Sequence, residues 1–214
     1  AEATSDDLAW GVDQFADAAA FVQTAGLDGI EVHAGHGYLI DTFLSPAWNQ
    51  RTDDYGDSVE NRARLLVDVV HAVRARCGPD FAVLVRLNGR DAALDGGITP
   101  DLAARYAALA GAAGADAIHV PAYSSITGGP GFTEGPLPWL DCQYEDLART
   151  VKAAVDVPVI AVGRIRPDEG ERILADDGAD LIAMGRQLLA DPDLPNRLAE
   201  GRPDLVRPCI NCFV

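Results

Sequence analysis

Short apolar segments recur along this chain of 214 residues, and each is followed by a stretch with helical periodicity. These segments read "GIEVH", "FAVLVRL", "DAIHV", "VPVIAVG" and "ADLIAMG", and they lie near residues 30, 84, 118, 160 and 182. Strands that alternate with helices predict repeated βα units and therefore a parallel sheet. Since 48% of the residues are hydrophobic, the chain can bury one sizeable core.

Residues at the ends of the predicted helices support this division. Gly26 lies where a glycine would terminate the first helix. Asp57 with Glu60 three residues later resembles a capping box for the second helix. Thr99 and Pro100 predict an N-cap followed by proline in the first helical turn.

Two architectures accept successive βα units of this kind. A (β/α)8 barrel needs eight strands and roughly 250 residues, so this chain would supply only about five βα units, strands four to eight. A doubly wound α/β sheet accepts five strands as they stand. The pattern favours the partial TIM barrel, which we place over residues 1–206, with a separate segment at 207–214.

Charge and cysteine content narrow the functional class. The chain carries 17 basic and 33 acidic residues, a net charge of −16, which argues against nucleic acid and anionic membrane surfaces as partners. No apolar run approaches the ~20 residues that span a membrane. Four cysteines are too few for a secreted disulfide framework. We therefore expect a cytoplasmic protein.

The ends of the predicted strands carry polar residues, where a βα barrel places catalytic groups and, after its last two strands, phosphate. Glycine lets a phosphate approach backbone N–H groups, and arginine binds it with two donors. The alternative is glycine in a turn and arginine as a solvated charge, but two successive Gly-Arg pairs favour phosphate. In chain order the strand ends carry His33, Arg86, His119, Gly163-Arg164 and Gly185-Arg186.

Strand alternation predicts that Arg86 points into the barrel. If Val83 and Val85 face the helices, Arg86 faces the other way. An inward arginine there can bind an anion or an electron-rich ring edge, or it can pair with Glu31, which has the same parity on the neighbouring strand. The two interpretations are compatible with each other.

The stretch "HAGHGY" places His33 and His36 three residues apart, with Tyr38 two further on. A metal site would need a third ligand, which Glu31 or His119 could supply. The alternative is a pair of imidazole donors that hold a carbonyl oxygen, with Tyr38 as a nearby proton donor. The residues alone predict a polar active-site cluster.

Residues 26–70 contain, in order, "GIEVH", "HGYLI", "FLSP", "NQRTDDYG" and "ENR". This series resembles the signature of the Old Yellow Enzyme family of FMN-dependent oxidoreductases. The resemblance continues through "VRLN", "AVGRI" and "MGRQLLADP" to "RPCINC" and covers nearly the whole chain. It implies an FMN-binding (β/α)8 barrel.

The resemblance also implies roles for single residues. Arg86 would lie against the flavin pyrimidine, and His33 and His36 would bind the activating oxygen of the substrate. Tyr38 would take part in proton transfer to the α-carbon. The flavin phosphate site would comprise Gly163, Arg164, Gly185 and Arg186.

"RPCINC" contains Cys209 and Cys212 and resembles the start of an iron–sulfur motif. The motif belongs to a subgroup with 2,4-dienoyl-CoA reductase and trimethylamine dehydrogenase, in which two further cysteines complete a [4Fe–4S] cluster. Zinc and plain thiols are the alternatives for such a pair.

The resemblance implies an enzyme that reduces activated C=C bonds of small molecules with electrons from NAD(P)H. The alternatives are an amine oxidoreductase similar to trimethylamine dehydrogenase and a catalytically silent partial barrel. We expect the chain to be part of a longer protein and to be an incompetent enzyme by itself. A homo-oligomer is among the expectations, because open sheet edges pair with other chains.

Overall fold

A parallel sheet forms the centre of the computed structural model, which describes residues 2–92, 94–124, 142 and 144–210. Five of the seven strands in these described residues build this sheet in the order β1-β2-β4-β6-β7, and β3 pairs with β5 in a separate two-stranded sheet. The strands are β1 (Gly29–Ala34), β2 (Ala82–Leu87), β3 (Asp91–Ala92), β4 (Ala117–Val120), β5 (Tyr123–Ser124), β6 (Val159–Ala161) and β7 (Leu181–Ile182).

Helices follow the strands of the main sheet along the chain. They are α1 (Ser5–Thr24), α2 (Leu39–Leu44), α3 (Val59–Cys77), α4 (Pro100–Ala112), α5 (Glu145–Lys152), α6 (Pro167–Ala175), α7 (Arg186–Ala190) and α8 (Leu194–Ala199), with a 3-10 turn at Pro203–Leu205. None of the helices in the described residues has the length and apolar character that a membrane crossing requires.

The order of the strands decides between the two predicted architectures. All four pairings of the main sheet are parallel, and the strands follow one another across the sheet in chain order. A doubly wound sheet reverses its order at a switch point, whereas a barrel does not. The partial (β/α)8 barrel of five βα units is therefore confirmed over the described residues.

The core lies between the sheet and the helices that cover it. Val83, Val85 and Leu87 of β2 are fully buried, and so are Val70 and Val73 of α3. Burial of each such side chain contributes roughly 1.5–3 kcal/mol. The apolar residues of β2 thus fix which side of the sheet faces the helices and leave the alternate residues for the other side.

The helix caps bear out one sequence prediction and correct another. Thr99 caps α4 as expected, and its hydroxyl accepts a hydrogen bond from the backbone N–H of Leu102 at 3.3 Å. The predicted capping box at Asp57 is wrong, because Ser58 is the N-cap of α3 and accepts from the N–H of Asn61 at 3.1 Å. Asp57 instead takes a left-handed turn, with φ of 70°, a conformation that aspartate tolerates.

Candidate active site

One row of side chains crosses three neighbouring strands near their carboxyl ends. His33 of β1 is in register with Arg86 of β2, and Arg86 is in register with His119 of β4. Since Val85 and Leu87 are buried against the helices, Arg86 lies on the opposite, inner face. The predicted inward direction of Arg86 is confirmed.

Glu31 lies between the charged and polar groups of this row. Its Oε2 is 2.8 Å from Nδ1 of His119, and its Oε1 is 3.9 Å from Nη1 of Arg86. The ion pair between Glu31 and Arg86, which was one of the two interpretations of Arg86, therefore exists, at a distance near the upper limit for an ion pair. Burial raises the pKa of Glu31, but the hydrogen bond with His119 and the positive charge of Arg86 bring that pKa below its ordinary value.

His33 and His36 contact each other directly. Nδ1 of His36 is 3.2 Å from Nε2 of His33, and the two rings meet edge to face at 78°. Burial and the charge of Arg86 lower the pKa of both imidazoles, that of His36 to about 4. Both rings are therefore neutral at pH 7, and they can bind a ligand without carrying charge.

The contact between the rings limits what the pair can donate. A neutral imidazole carries one N–H and one acceptor nitrogen, and the mutual hydrogen bond uses one of each. The neutral pair therefore keeps a single further N–H, on Nδ1 of His33 or Nε2 of His36 according to the tautomer. The structure thus modifies the predicted pair of donors, because two such N–H groups require the mutual bond to open.

Tyr38 lies beside His33, as its spacing predicted. Its ring centroid is 5.2 Å from that of His33. The residue is the N-cap of α2 and its side chain is 63% exposed. A phenol in this position lies at the mouth of the site and can exchange its proton with solvent.

Three polar residues that the sequence analysis did not select support the histidine loop. The backbone N–H of His36 donates to Oδ1 of Asn88 at 3.0 Å, and the N–H of Gly37 donates to Oδ2 of Asp41 at 2.8 Å. Nδ2 of Asn88 donates to Asp41 and, at 3.1 Å, to Asp91. The position of Asn88 directly after an apolar strand was the available sequence signal.

The two Gly-Arg pairs follow adjacent strands. Gly163-Arg164 comes after β6 and Gly185-Arg186 after β7, and these strands pair directly. Gly163 has φ of 125°, and a Cβ there would lie 2.6 Å from Cδ2 of Tyr144, so the position requires glycine. The structure brings the pairs to one edge of the sheet, while their role in binding phosphate stays a prediction.

Cys209 is held against the last βα unit. It is partly exposed, and its backbone N–H donates to Oε1 of Gln187 in α7 at 2.9 Å. Cys212 lies outside the described residues. Within the part of the chain that the structure describes, no three His, Cys, Asp or Glu side chains are grouped to hold a metal ion.

Several ring and guanidinium nitrogens of the site lack a hydrogen-bond partner among the described residues. These are Nδ1 of His33, Nε2 of His36, Nε of Arg86 and Nε2 of His119. A buried polar atom without a partner is costly, and such atoms cluster where a ligand completes the site. The residues present therefore fit a ligand with polar ring edges or a carbonyl oxygen.

A partial βα barrel with polar side chains at the carboxyl ends of its strands places the protein in the TIM-barrel class. Residues 1–205 match the model of a protein family that is described as the "NADH:flavin oxidoreductase / NADH oxidase family". The chain belongs to this family, and the resemblance to the Old Yellow Enzyme family is confirmed.

Relatives of known description cover almost all of the chain. A metal reductase of Desulforamulus reducens is 42% identical over 212 residues, which are 99% of this chain and 31% of the relative. The structure of a 2-naphthoyl-CoA reductase in complex with 2-naphthoyl-CoA superposes with a TM-score of 0.91 at 31% identity, covering 100% of this chain and 32% of the other.

Histamine dehydrogenase from Rhizobium sp. 4-9 has a similar structure, with a TM-score of 0.87 and 29% identity. That match covers 98% of this chain and 30% of the dehydrogenase. The chain therefore spans about a third of the length of these three proteins.

Proposed function

We propose that this chain is the catalytic part of an FMN-dependent oxidoreductase that reduces activated C=C bonds with electrons from NAD(P)H. Enones and enoyl thioesters are the expected substrates. The observation that carries the proposal is the neutral pair His33 and His36 beside Arg86, with Tyr38 5.2 Å from the His33 ring. The similar structure that holds 2-naphthoyl-CoA supports a thioester as one substrate class.

The flavin site would be built by residues at the carboxyl edge of the sheet. Arg86 would bind the ring edge, and the two Gly-Arg pairs at 163–164 and 185–186 would bind the phosphate. Gly163 keeps the backbone free of a side chain there, and arginine binds phosphate with two parallel donors. When bound, the flavin supplies hydride to the β-carbon of the substrate.

The histidine pair would bind the carbonyl oxygen that activates the C=C bond. An N–H of a neutral imidazole donates to this oxygen, and the hydrogen bond strengthens as negative charge develops there. The charge of Arg86 helps to keep both rings neutral, because it lowers their pKa. The pair therefore stabilises the developing oxyanion without itself losing a proton.

Tyr38 would supply the proton that completes the reduction. Its O–H transfers a proton to the α-carbon, and the phenolate recovers a proton from solvent, to which the side chain is 63% exposed. The overall change adds one hydride at the β-carbon and one proton at the α-carbon, so charge and atoms balance.

An amine oxidoreductase is the second candidate, and the similarity to histamine dehydrogenase favours it. Half-reactions of the native protein separate the two candidates. Under the first proposal NAD(P)H reduces the bound flavin anaerobically, and an enone or enoyl thioester re-oxidises it. Under the second, a tertiary amine or histamine reduces the flavin and enones do not react. A colourless protein without flavin would contradict both and indicate a silent barrel.

We also propose that Cys209 and Cys212 are two of four cysteine ligands of a [4Fe–4S] cluster. The support is the resemblance of "RPCINC" to the iron–sulfur motif and the contact that ties Cys209 to α7. Iron and sulfide analysis of the native protein tests this proposal. Four irons per chain are expected, with loss of iron in Cys209→Ser, whereas bound zinc or an absence of metal would contradict it.

A further inference from the structure

Beneath the histidine loop lies a buried group of three polar side chains, which we call the Asn88 cluster: Asn88, Asp41 and Asp91. Asn88 and Asp41 are completely buried, and Asp91 is 8% exposed. They come from three different elements, because Asn88 follows β2, Asp41 lies in α2 and Asp91 begins β3. Two carboxyl groups this close and this buried require a specific arrangement of donors.

The orientation of the Asn88 carboxamide follows from its neighbours. The atom that faces the backbone N–H of His36, at 3.0 Å, must be the oxygen, because an N–H needs an acceptor. Nδ2 then faces both carboxylates, at 3.0 Å from each oxygen of Asp41 and 3.1 Å from Oδ1 of Asp91. One side chain thus links the His36 backbone to two buried acids.

The two acids have unequal surroundings. Besides Asn88, Asp91 accepts from Oγ of Ser45 at 2.7 Å and from the N–H of Ile98 at 2.9 Å. Besides Asn88, Asp41 accepts from the N–H of Gly37 alone among these contacts, at 2.8 Å. Burial and the neighbouring Asp91 raise the pKa of Asp41 to about 7, in spite of its hydrogen bonds with Gly37 and Asn88.

The loop needs these contacts to keep its shape. His36 has φ of 60°, in the left-handed region that a residue other than glycine occupies only when its surroundings hold it. The N–H groups of His36 and Gly37 both donate into the Asn88 cluster. Gly35 closes the loop on the same side chain, because a Cβ there would lie 2.7 Å from Oδ1 of Asn88.

We propose that Asn88 and Asp41 are positioning residues, which fix the loop at His36 and thereby place the His33–His36 pair. How firmly they hold the loop depends on whether Asp41 is ionised. The ionised carboxylate accepts from Asn88 and Gly37 with both oxygens. Protonation converts one of these oxygens into a donor that faces the Asn88 amide, so the hold on the loop weakens. The role in placing a carbonyl-binding pair rests on the proposed function.

Other ionisable groups lie around Asp41 and the loop that it binds. Asp91 of β3 supplies the charge that acts on it, and Asp91 itself has more donors. His36 in the loop is neutral near pH 7, because its pKa is lowered to about 4. Tyr106 of α4 donates its hydroxyl to the carbonyl of Leu44 at 2.7 Å, and burial raises its pKa, so it stays neutral.

Two variants and a control test the proposal in the native protein. Asn88→Asp keeps an oxygen that accepts from the N–H of His36 but replaces the NH2 group that donates to Asp41 and Asp91. Asp41→Asn removes the ionisable carboxyl group. Val70→Ala is the control, because it opens the buried core at α3 and destabilises the fold from an element that supplies none of the three cluster residues. Amide hydrogen exchange and nitrogen NMR shifts of His36 and Gly37 are followed across neutral pH.

The native protein should show an inflection near neutral pH in both amide signals, and Asp41→Asn should lose it. In Asn88→Asp the two amides should exchange about tenfold faster or more, because a local opening becomes easier. In the same variant, turnover of an enone should fall about 100-fold while the flavin stays bound, since a small misplacement of a binding group has effects of this size. Val70→Ala should change neither the inflection nor the local exchange pattern.

Unchanged exchange in Asn88→Asp, or an inflection that persists in Asp41→Asn, would overturn the positioning role. Slow turnover in Val70→Ala equal to that in Asn88→Asp would overturn it too, because general destabilisation would then suffice. If the native protein reduces no enone, the proposed function fails, and the amide titration alone decides for or against the positioning role.

Discussion

Oε2 of Glu31 and Nδ1 of His119 lie 2.8 Å apart, although β2 separates the two strands that carry them. The other oxygen of Glu31 is 3.9 Å from Nη1 of Arg86. Glu31 is therefore the negative charge that offsets Arg86 on the inner face of the sheet. It acts on His33 in the opposite sense to Arg86, because its charge raises the pKa of that imidazole while Arg86 lowers it.

Glu31→Gln should lower the pKa of His33 further. The substitution removes the charge that raises this pKa, and burial and Arg86, which lower it, remain. NMR titration of the ring protons measures the change. Asp68→Asn is the control, because this carboxylate belongs to α3 and accepts from the Tyr55 hydroxyl at 3.2 Å, and it is absent from the charges that act on His33. A His33 pKa that stays constant or rises in Glu31→Gln would contradict the charge assignment.

Arg186→Ala should weaken FMN binding more than Arg86→Ala does. Arg186 would lose a charge-assisted bond to the phosphate, worth ~1.5–3 kcal/mol. Loss of Arg86 should chiefly change the reduction potential of the flavin, since its charge lies at the ring edge. Titration of apoprotein with FMN, followed by flavin fluorescence, compares the two variants. Equal affinities would argue against a phosphate site at Arg186.

Gly163→Ala should destabilise the protein, and Gly185→Ala should not. At Gly163 a Cβ would lie 2.6 Å from Cδ2 of Tyr144 with φ of 125°, whereas at Gly185 nothing lies within 4 Å. Strain of this kind costs about 1–3 kcal/mol. Thermal unfolding of the two variants provides a matched comparison, and equal melting temperatures would show that the loop after β6 can shift.

Much of the fold and part of the site could be predicted from the sequence, since both follow from local patterns. Strand alternation was enough to direct Arg86 inward, and short spacing was enough to bring His33 and His36 together. Asp41 and Asn88 are 47 residues apart, and they meet only when folding brings α2 to the residue that follows β2. No periodicity records such a contact, so the Asn88 cluster became visible only in the structure.

The sequence also could not decide between two neighbouring residues that can fill the same structural role. Asp57 and Ser58 are both good N-cap residues, and only the backbone shows that the hydroxyl of Ser58 reaches the N–H of Asn61. The mutual hydrogen bond of His33 and His36 is a similar case. The spacing predicted two donors, but the contact between the rings leaves the neutral pair with one further N–H.

Tyr38→Phe should slow the re-oxidation of reduced flavin by an enone and leave its reduction by NAD(P)H nearly unchanged. Only the first step needs a proton at the α-carbon, and general-acid help of this kind is worth ~10²–10⁴-fold. Stopped-flow absorbance resolves the two half-reactions. Leu39→Ala, an exposed neighbour in α2, is the control for disturbance of the site mouth. Enone re-oxidation at the native rate in Tyr38→Phe would exclude the proton-donor role.

Asp41→Asn should reduce the pH dependence of stability between about pH 4 and 7. The pKa of Asp41 rises from 3.8 to about 7 on folding, so the folded protein keeps a proton that the unfolded chain releases. The contribution of Asp41 is then fully present below the unfolded pKa and is lost as pH rises through the folded one, a change of a few kcal/mol.

The free energy of unfolding in urea, measured at several pH values, tests this expectation. The quantity to compare is its slope against pH, because the substitution at Asp41 also alters the hydrogen bonds with Asn88 and Gly37 at every pH. Val70→Ala should lower the free energy of unfolding and keep the native slope, since it removes buried methyl groups and no ionisable group. If Asp41→Asn and the native protein have the same slope, Asp41 is ionised throughout this pH range. The hydrogen-bond donors of the Asn88 cluster alone would then stabilise its two charged carboxylates beside each other.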